Sequence, residues 1–210
     1  MLASYPSYKD KPPAPMPVQV GTNSDWAETF LSSALLRKTD GTVWRIYWEH
    51  DKIELFQQTN MDEVNFQTLS SDGNGQGMAY VGKDGRLMIF NTRSGKHQPA
   101  FVPYYDETNW ISVSVQDYRM IALKSDGTLW QWNLRGFTQV PILDQIGKQP
   151  TRLGIHNDWV AMSGTSWWTI TVAADGGVWL WFNPENFYGE TLMKSPKQPE
   201  FLGNVLDKEK

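Results

Sequence analysis

The chain has 210 residues, 40% of them hydrophobic and 20% charged, with a formal net charge of −4. A chain of this length buries roughly 70% of its unfolded surface, so a sizeable core is within reach, and the balance is neither that of a disordered segment nor basic enough to follow a nucleic-acid backbone. The absence of Cys excludes disulfides, thiol nucleophiles and Cys-based zinc sites, and no two of the 3 His stand at metal-ligand spacing.

Residues 1–16 carry Pro6, Pro12, Pro13 and Pro15 among Ser, Lys and Tyr, a composition that favours an extended, poorly packing tail. They lack the basic and apolar regions of a secretory signal. No run of 18 apolar residues is present, so no membrane insertion is expected. Without Cys, a cytoplasmic location is favoured over export with the signal removed.

From residue 17 onward the sequence repeats itself, the property to seek first. Lys38-Thr39-Asp40-Gly41-Thr42-Val43-Trp44 returns as Lys83-Asp84-Gly85-Arg86-Leu87-Met88, as Lys124-Ser125-Asp126-Gly127-Thr128-Leu129-Trp130 and as Ala174-Asp175-Gly176-Gly177-Val178-Trp179, the Asp residues lying 44, 42 and 49 positions apart. Asp-Gly between runs of Val, Ile, Leu, Thr and Trp predicts a hairpin, with a type I′ turn as the expected geometry. Val43, Leu87, Leu129 and Val178 stand three residues after the Asp; Trp44, Met88, Trp130 and Trp179 stand at four, and Ile46, Phe90, Trp132 and Trp181 at six. Alternation puts the four and six positions on one face. The apolar third position then requires that both faces be covered.

Two further markers precede each turn. Trp26, Phe66, Trp110 and Trp159 lie 14, 18, 16 and 16 residues before their Asp, and a Pro-led segment at 17–21 matches 150–154 position for position, with a looser version from Pro99. The unit reads as Pro-led strand, aromatic-led strand, strand, Asp-Gly turn, strand: four short strands in about 45 residues, the size of a propeller blade. Repeats are expected at about 17–62, 63–98, 99–149 and 150–198, with a partial fifth at 199–210. The segment with the nearest approach to helical periodicity, 51–64, is polar and lacks a clear cap. The chain is therefore expected to be all-β, a β-propeller of about four blades of four antiparallel strands.

The stretches "NWISVSV" (109–115), "IALKSDGTLWQWN" (121–133) and "PTRLGIHNDWVAMSG" (150–164) resemble the regulator-of-chromosome-condensation repeat family, and the resemblance covers about 17–207. It implies a β-propeller, usually of seven blades, that binds other proteins through loops on one face; members include exchange factors for small GTPases, chromatin binders and a propeller-type β-lactamase inhibitor. Two departures matter. The family's Gly-Gln-Leu-Gly segment after the last strand is absent, and its frequent His seven residues before the turn Asp is here Ser33, Gly77, Arg119 and Trp168. The resemblance carries the fold and leaves the activity open.

The segment from Pro199 to Gly203 repeats the Pro-led strand, which leaves duplicate strands at the two ends and an open edge. Three arrangements accommodate this: a four-bladed ring with a displaced strand, a half-ring completed by a second copy or a partner, and part of a longer protein. Aromatics at repeat positions are read as packing residues. Those off the register, Tyr118 with Arg119 and Trp167 with Trp168, fall in the loop between the middle strands of two repeats, where Tyr and Trp beside Arg suit a protein-binding patch. Tyr104 and Tyr105, in a loop lengthened by two residues, are further candidates for that surface. Asp72 to Gly77 resembles the opening of a calcium loop, but its twelfth position is Lys83, so it reads as a Gly-rich connection; no metal or cofactor is expected. No catalytic motif is present and His156 reads as a surface residue. The expected function is a non-enzymatic scaffold with a protein partner and no nucleic acid, with self-association through the open edge strand as a further expectation; a carbohydrate-binding propeller and an architectural subunit are the alternatives.

Overall fold

The computed structural model describes residues 22–30, 35–49, 52–72, 77–91, 100–104, 106–116, 119–133, 149–165, 168–182 and 199–207. The Pro-rich tail, the Pro-led segment 17–21 and several loop tips lie outside them. Every regular element among the described residues is a strand: β1 (Trp26–Phe30), β2 (Leu35–Lys38), β3 (Val43–Glu49), β4 (Lys52–Gln58), β5 (Ser70–Ser71), β6 (Met78–Val81), β7 (Leu87–Asn91), β8 (Ala100–Pro103), β9 (Trp110–Val115), β10 (Arg119–Lys124), β11 (Leu129–Asn133), β12 (Thr151–Arg152), β13 (Trp159–Gly164), β14 (Trp168–Ala173), β15 (Gly177–Phe182) and β16 (Glu200–Asn204). They form four antiparallel four-stranded sheets, β1 to β4, β5 to β8, β9 to β12 and β13 to β16, each with its strands in chain order. The chain is an all-β, four-bladed propeller protein.

All four Asp-Gly corners are hairpins, but not of type I′. Gly41, Gly85, Gly127 and Gly176 have φ between 77° and 87°, while Asn60 is the one described non-Gly residue at positive φ, so each turn Asp is in an ordinary conformation. The Gly41 and Gly127 amides donate to the carbonyls of Lys38 and Lys124, and the Lys38 and Lys124 amides donate to Thr42 and Thr128. This is a three-residue loop: a type I turn followed by a left-handed Gly. Asp suits it because its carboxylate reaches the amide two residues on, as Asp40 and Asp126 do for Thr42 and Thr128 at 2.9 and 3.0 Å. The Thr hydroxyl also donates to that Asp, at 2.6 Å in both turns, and accepts from the indole Nε1 of Trp44 or Trp130.

The Thr128 hydroxyl, aided by its amide, holds the Asp126 carboxyl below the usual carboxylate range. A carboxylate lowered on folding contributes stability that is present above its unfolded pKa, about 4, and is lost as the pH falls through the folded value. Thr128→Val is expected to raise the Asp126 pKa toward the ordinary value and to make stability less sensitive to pH below about 4; an NMR titration of the Asp126 carboxyl carbon would show it, and an unmoved pKa would contradict this assignment.

The sheets are offset by one strand from the repeat boundaries expected from the sequence. The Pro-led strands β8, β12 and β16 pair with β7, β11 and β15, and so close the preceding blade as its fourth strand. The segment beginning at Pro199 is therefore the outer strand of the fourth blade. In the first blade that place belongs to β4, within the segment 51–64, which pairs with β3 from Val43↔Gln58 to Glu49↔Lys52. The second blade departs most: Phe66 lies in a turn and the inner strand is reduced to Ser70 and Ser71. There the Thr68 side chain replaces a strand backbone, its hydroxyl accepting from the Val81 amide at 3.0 Å and donating to the Val81 carbonyl at 2.9 Å.

Three apolar clusters hold consecutive blades together. Leu35 and Val43 meet Met78, Tyr80 and Phe90 through Met61 and Val64. Ala79, Val81, Leu87 and Ile89 meet Trp110, Met120, Ala122 and Trp132. Ile121, Leu123 and Leu129 meet Trp159, Ala173 and Trp181. The paired register makes the third position after each turn Asp face the following blade and the fourth and sixth face the preceding one, so both faces of the middle blades are covered. The turns add a backbone staple. The carbonyls of Gly85 and Gly127 accept from the amides of Trp110 and Trp159, the residues that lead the next blade. Lys38 lies over the rings of Trp26 and Trp44 and Lys124 over those of Trp110 and Trp130, at 4.6 to 5.2 Å; each is also paired with a carboxylate, Asp25 or Glu107.

Candidate functional site

The loops between the first two strands of the third and fourth blades are tight hairpins. The Gln116 amide donates to the Arg119 carbonyl and the Thr165 amide to the Trp168 carbonyl, both at 2.8 Å. Arg119 begins β10 and Trp168 begins β14, each seven residues before its turn Asp, so the two occupy equivalent corners of neighbouring blades. A buried polar chain ties these corners together. Gln116 Nε2 donates to Thr169 Oγ1 at 2.8 Å, Ser114 Oγ and Thr169 Oγ1 share a hydrogen bond of 2.8 Å, and Arg119 Nε donates to Gln116 Oε1 at 3.3 Å. Buried side chains of this kind persist only when satisfied. Their mutual bonds therefore tie the end of β9 and the start of β10 to the start of β14.

Within that frame the candidate residues separate. Trp168 is 44% exposed, a large area of indole left in solvent at the start of β14. Arg119 is 7% exposed, and burial pushes its guanidinium down to about 10, so it remains charged at neutral pH but is spent on the network between blades rather than displayed. Tyr104 is also buried: its hydroxyl accepts from Trp132 Nε1 at 2.7 Å and the rings meet edge to face at 5.3 Å. The reason is its position directly after β8, where the Tyr104 amide bonds to the Leu87 carbonyl and turns the ring inward. Arg119 and Tyr104 are thus not surface groups. Tyr105, Tyr118 and Trp167 lie outside the described residues.

The segment around Asp72 closes the β5–β6 connection, its carboxylate accepting from the Gly77 amide at 2.8 Å. His156 is exposed beside Asp158, its Nδ1 3.7 Å from the carboxylate. The residues that sequence reasoning missed are Gln116 and Thr169. Thr169 stands where the second and third blades carry Met78 and Met120, which is the signal that could have revealed it, whereas Gln116 aligns with the polar Thr165 and Asp72 and nothing in the repeat marks it.

No protein-family model matches the sequence and no curated protein matches it significantly. Among solved structures, the chain is similar to yeast RCC1 (Prp20) in its complex with Kap60, at 14% identity over 81% of this chain and 48% of that one, with a TM-score of 0.47. It is similar to human WBSCR16 at 12% identity over 70% of this chain and 44% of that one, TM-score 0.45. An enzyme, the glutaminyl cyclase of Myxococcus xanthus, is also similar, at 10% identity over 72% and 66% and a TM-score of 0.33. The chain spans just under half the length of the first two. These likenesses concern the repeated sheet alone; identities this low carry no activity with them.

Proposed function

We propose that this chain is a non-enzymatic protein-binding scaffold whose contact surface is built on the β9–β10 and β13–β14 hairpins, with Trp168 as its anchor. The observation that carries the reading is the 44% exposure of the Trp168 indole on a corner fixed by the buried Gln116–Thr169 bond. An ordered aromatic can dock with little loss of side-chain entropy, which is why Trp is enriched at interface hot spots. The corresponding corners of the other blades carry Ser33, Gly77 and Arg119. That divergence favours one asymmetric protein surface over the several like sites a carbohydrate-binding propeller would use.

Trp168→Ala is expected to weaken capture of a protein partner by about thirtyfold or more, a hot-spot effect of ~2 kcal/mol, while changing stability by less than about 1 kcal/mol because the side chain is not in the core. The measurement is affinity capture from a lysate of the native source with the wild-type and Trp168→Ala chains, followed by titration of the recovered partner. Equal affinities would rule out this surface.

A further inference from the structure

The two ends of the blade series present faces that every internal junction covers. Five residues before the turn Asp, Leu35, Ala79 and Ile121 are each at most 1% exposed, whereas their counterpart in the fourth blade, Ile170, is 36% exposed. Three residues after the turn, Val43, Leu87 and Leu129 are buried, and Val178 is only half-buried. Leu180, paired with Ile170 across β14 and β15, extends the same uncovered face. At the other end the opposite face is open: Phe90, Trp132 and Trp181 are buried at the sixth position, while Ile46 in the first blade is only half-buried. Among the described residues no apolar cluster joins the fourth blade to the first.

The repeat itself identifies what fits each end. At every internal junction, the face that Ile170 represents is covered by the preceding-side face of the next blade, and the one such face left uncovered among the described residues belongs to the first blade. We infer that a second copy of this chain covers both ends, the fourth blade of one packing on the first blade of the other, so that two four-bladed arcs close into a ring of eight. A head-to-tail contact closes when its rotation allows it, and eight blades is within the range of propellers. The contact is sheet face to sheet face, not strand addition at the edge of β16. Trp168, two residues before Ile170 on β14, shares its strand face and stands where this contact and the loop surface meet, so it is left unaltered in the test.

Light scattering coupled to size exclusion, at micromolar concentration, is expected to give twice the mass of the chain. Ile170→Lys and Ile46→Glu, each placing a charge at both symmetric contacts, are expected to weaken self-association on the order of a hundredfold and to yield monomers. An equimolar mixture of the two is expected to dimerise again, because each mixed pair keeps one unaltered contact and sets opposite charges across the other. A monomeric wild type, a dimer that survives Ile170→Lys, or a mixture that stays monomeric would each overturn the inference. Melting temperatures are compared first, and Leu180→Lys replaces Ile170→Lys should that variant fail to fold. Retention of the lysate partner by Ile170→Lys would separate the loss of the ring from any failure of the loop surface.

Discussion

Gly127→Ala is expected to lower stability by about 3–5 kcal/mol and Gly41→Ala by only about 1–2 kcal/mol, although the two glycines occupy the same position of the same turn. Both have positive φ, 77° and 87°, and share the cost of holding an L-residue in the left-handed region. They differ in what a methyl group would meet. A Cβ on Gly127 would lie 2.2 Å from the Asn157 carbonyl oxygen, and one on Gly41 meets nothing within 4 Å. The obstacle is backbone, two residues before the tryptophan that leads the fourth blade, so relief requires the chain there to move. That movement breaks the bond from the Trp159 amide to the Gly127 carbonyl, 3.2 Å long. The first loss is conformational and local, the second a failure of blade-to-blade docking. For a chain of this size the difference corresponds to a melting temperature lower by roughly 8–15 °C for Gly127→Ala against a few degrees for Gly41→Ala. Thermal denaturation followed by circular dichroism reads both, and equal shifts would mean that the turns do not staple the blades.

The parts of this architecture that a local pattern encodes are legible in the sequence. The four Asp-Gly corners form hairpins, and the apolar third, fourth and sixth positions after each Asp occupy the faces that alternation assigns them. Apart from the turn type, what escaped depends on contacts made by the assembled sheets. The turn type escaped because Asp-Gly also serves a three-residue loop, and whether Asp takes positive φ is decided by which amides its carboxylate reaches. The blade phase escaped because a Pro-led strand can begin one sheet or end another; the bond from the Leu153 amide to the Leu129 carbonyl settles it for the third blade. Of the candidate site, the corner bearing Trp168 could be placed from the repeat alone. The burial of Arg119 and Tyr104 could not, because it arises from Gln116 in one case and from Trp132 in the other, each brought there by the sheet. A half-ring is one of the three arrangements the sequence allows, but its open faces are not legible: Ile170 and Ile46 are as apolar as their buried equivalents, and among the described residues only the absence of a neighbouring blade distinguishes them.

Trp132→Ala is the substitution expected to do the most damage to the core. Trp132 sits at the sixth position after Asp126, on the face of the third blade that meets the second, and is 3% exposed. Its ring packs against Trp110 at 5.6 Å and against Tyr104 at 5.3 Å, and its Nε1 donates to the Tyr104 hydroxyl. Truncation removes a large buried side chain and leaves a cavity, a change that costs about 3–5 kcal/mol; it also deprives a buried hydroxyl of a donor, adding about 1 kcal/mol. The sum is comparable with the whole net stability of a typical domain, about 5–15 kcal/mol, so Trp132→Ala is expected to be largely unfolded or only marginally folded at 37 °C. Trp132→Phe keeps most of the ring contacts and loses the hydrogen bond, and is expected to cost about 1–3 kcal/mol while remaining folded. Urea denaturation of the two variants beside the wild type measures the difference. If Trp132→Ala unfolded at nearly the wild-type urea concentration, the indole would not be holding the second and third blades together, and the order imposed on the Arg119 and Trp168 corners beyond them would need another source.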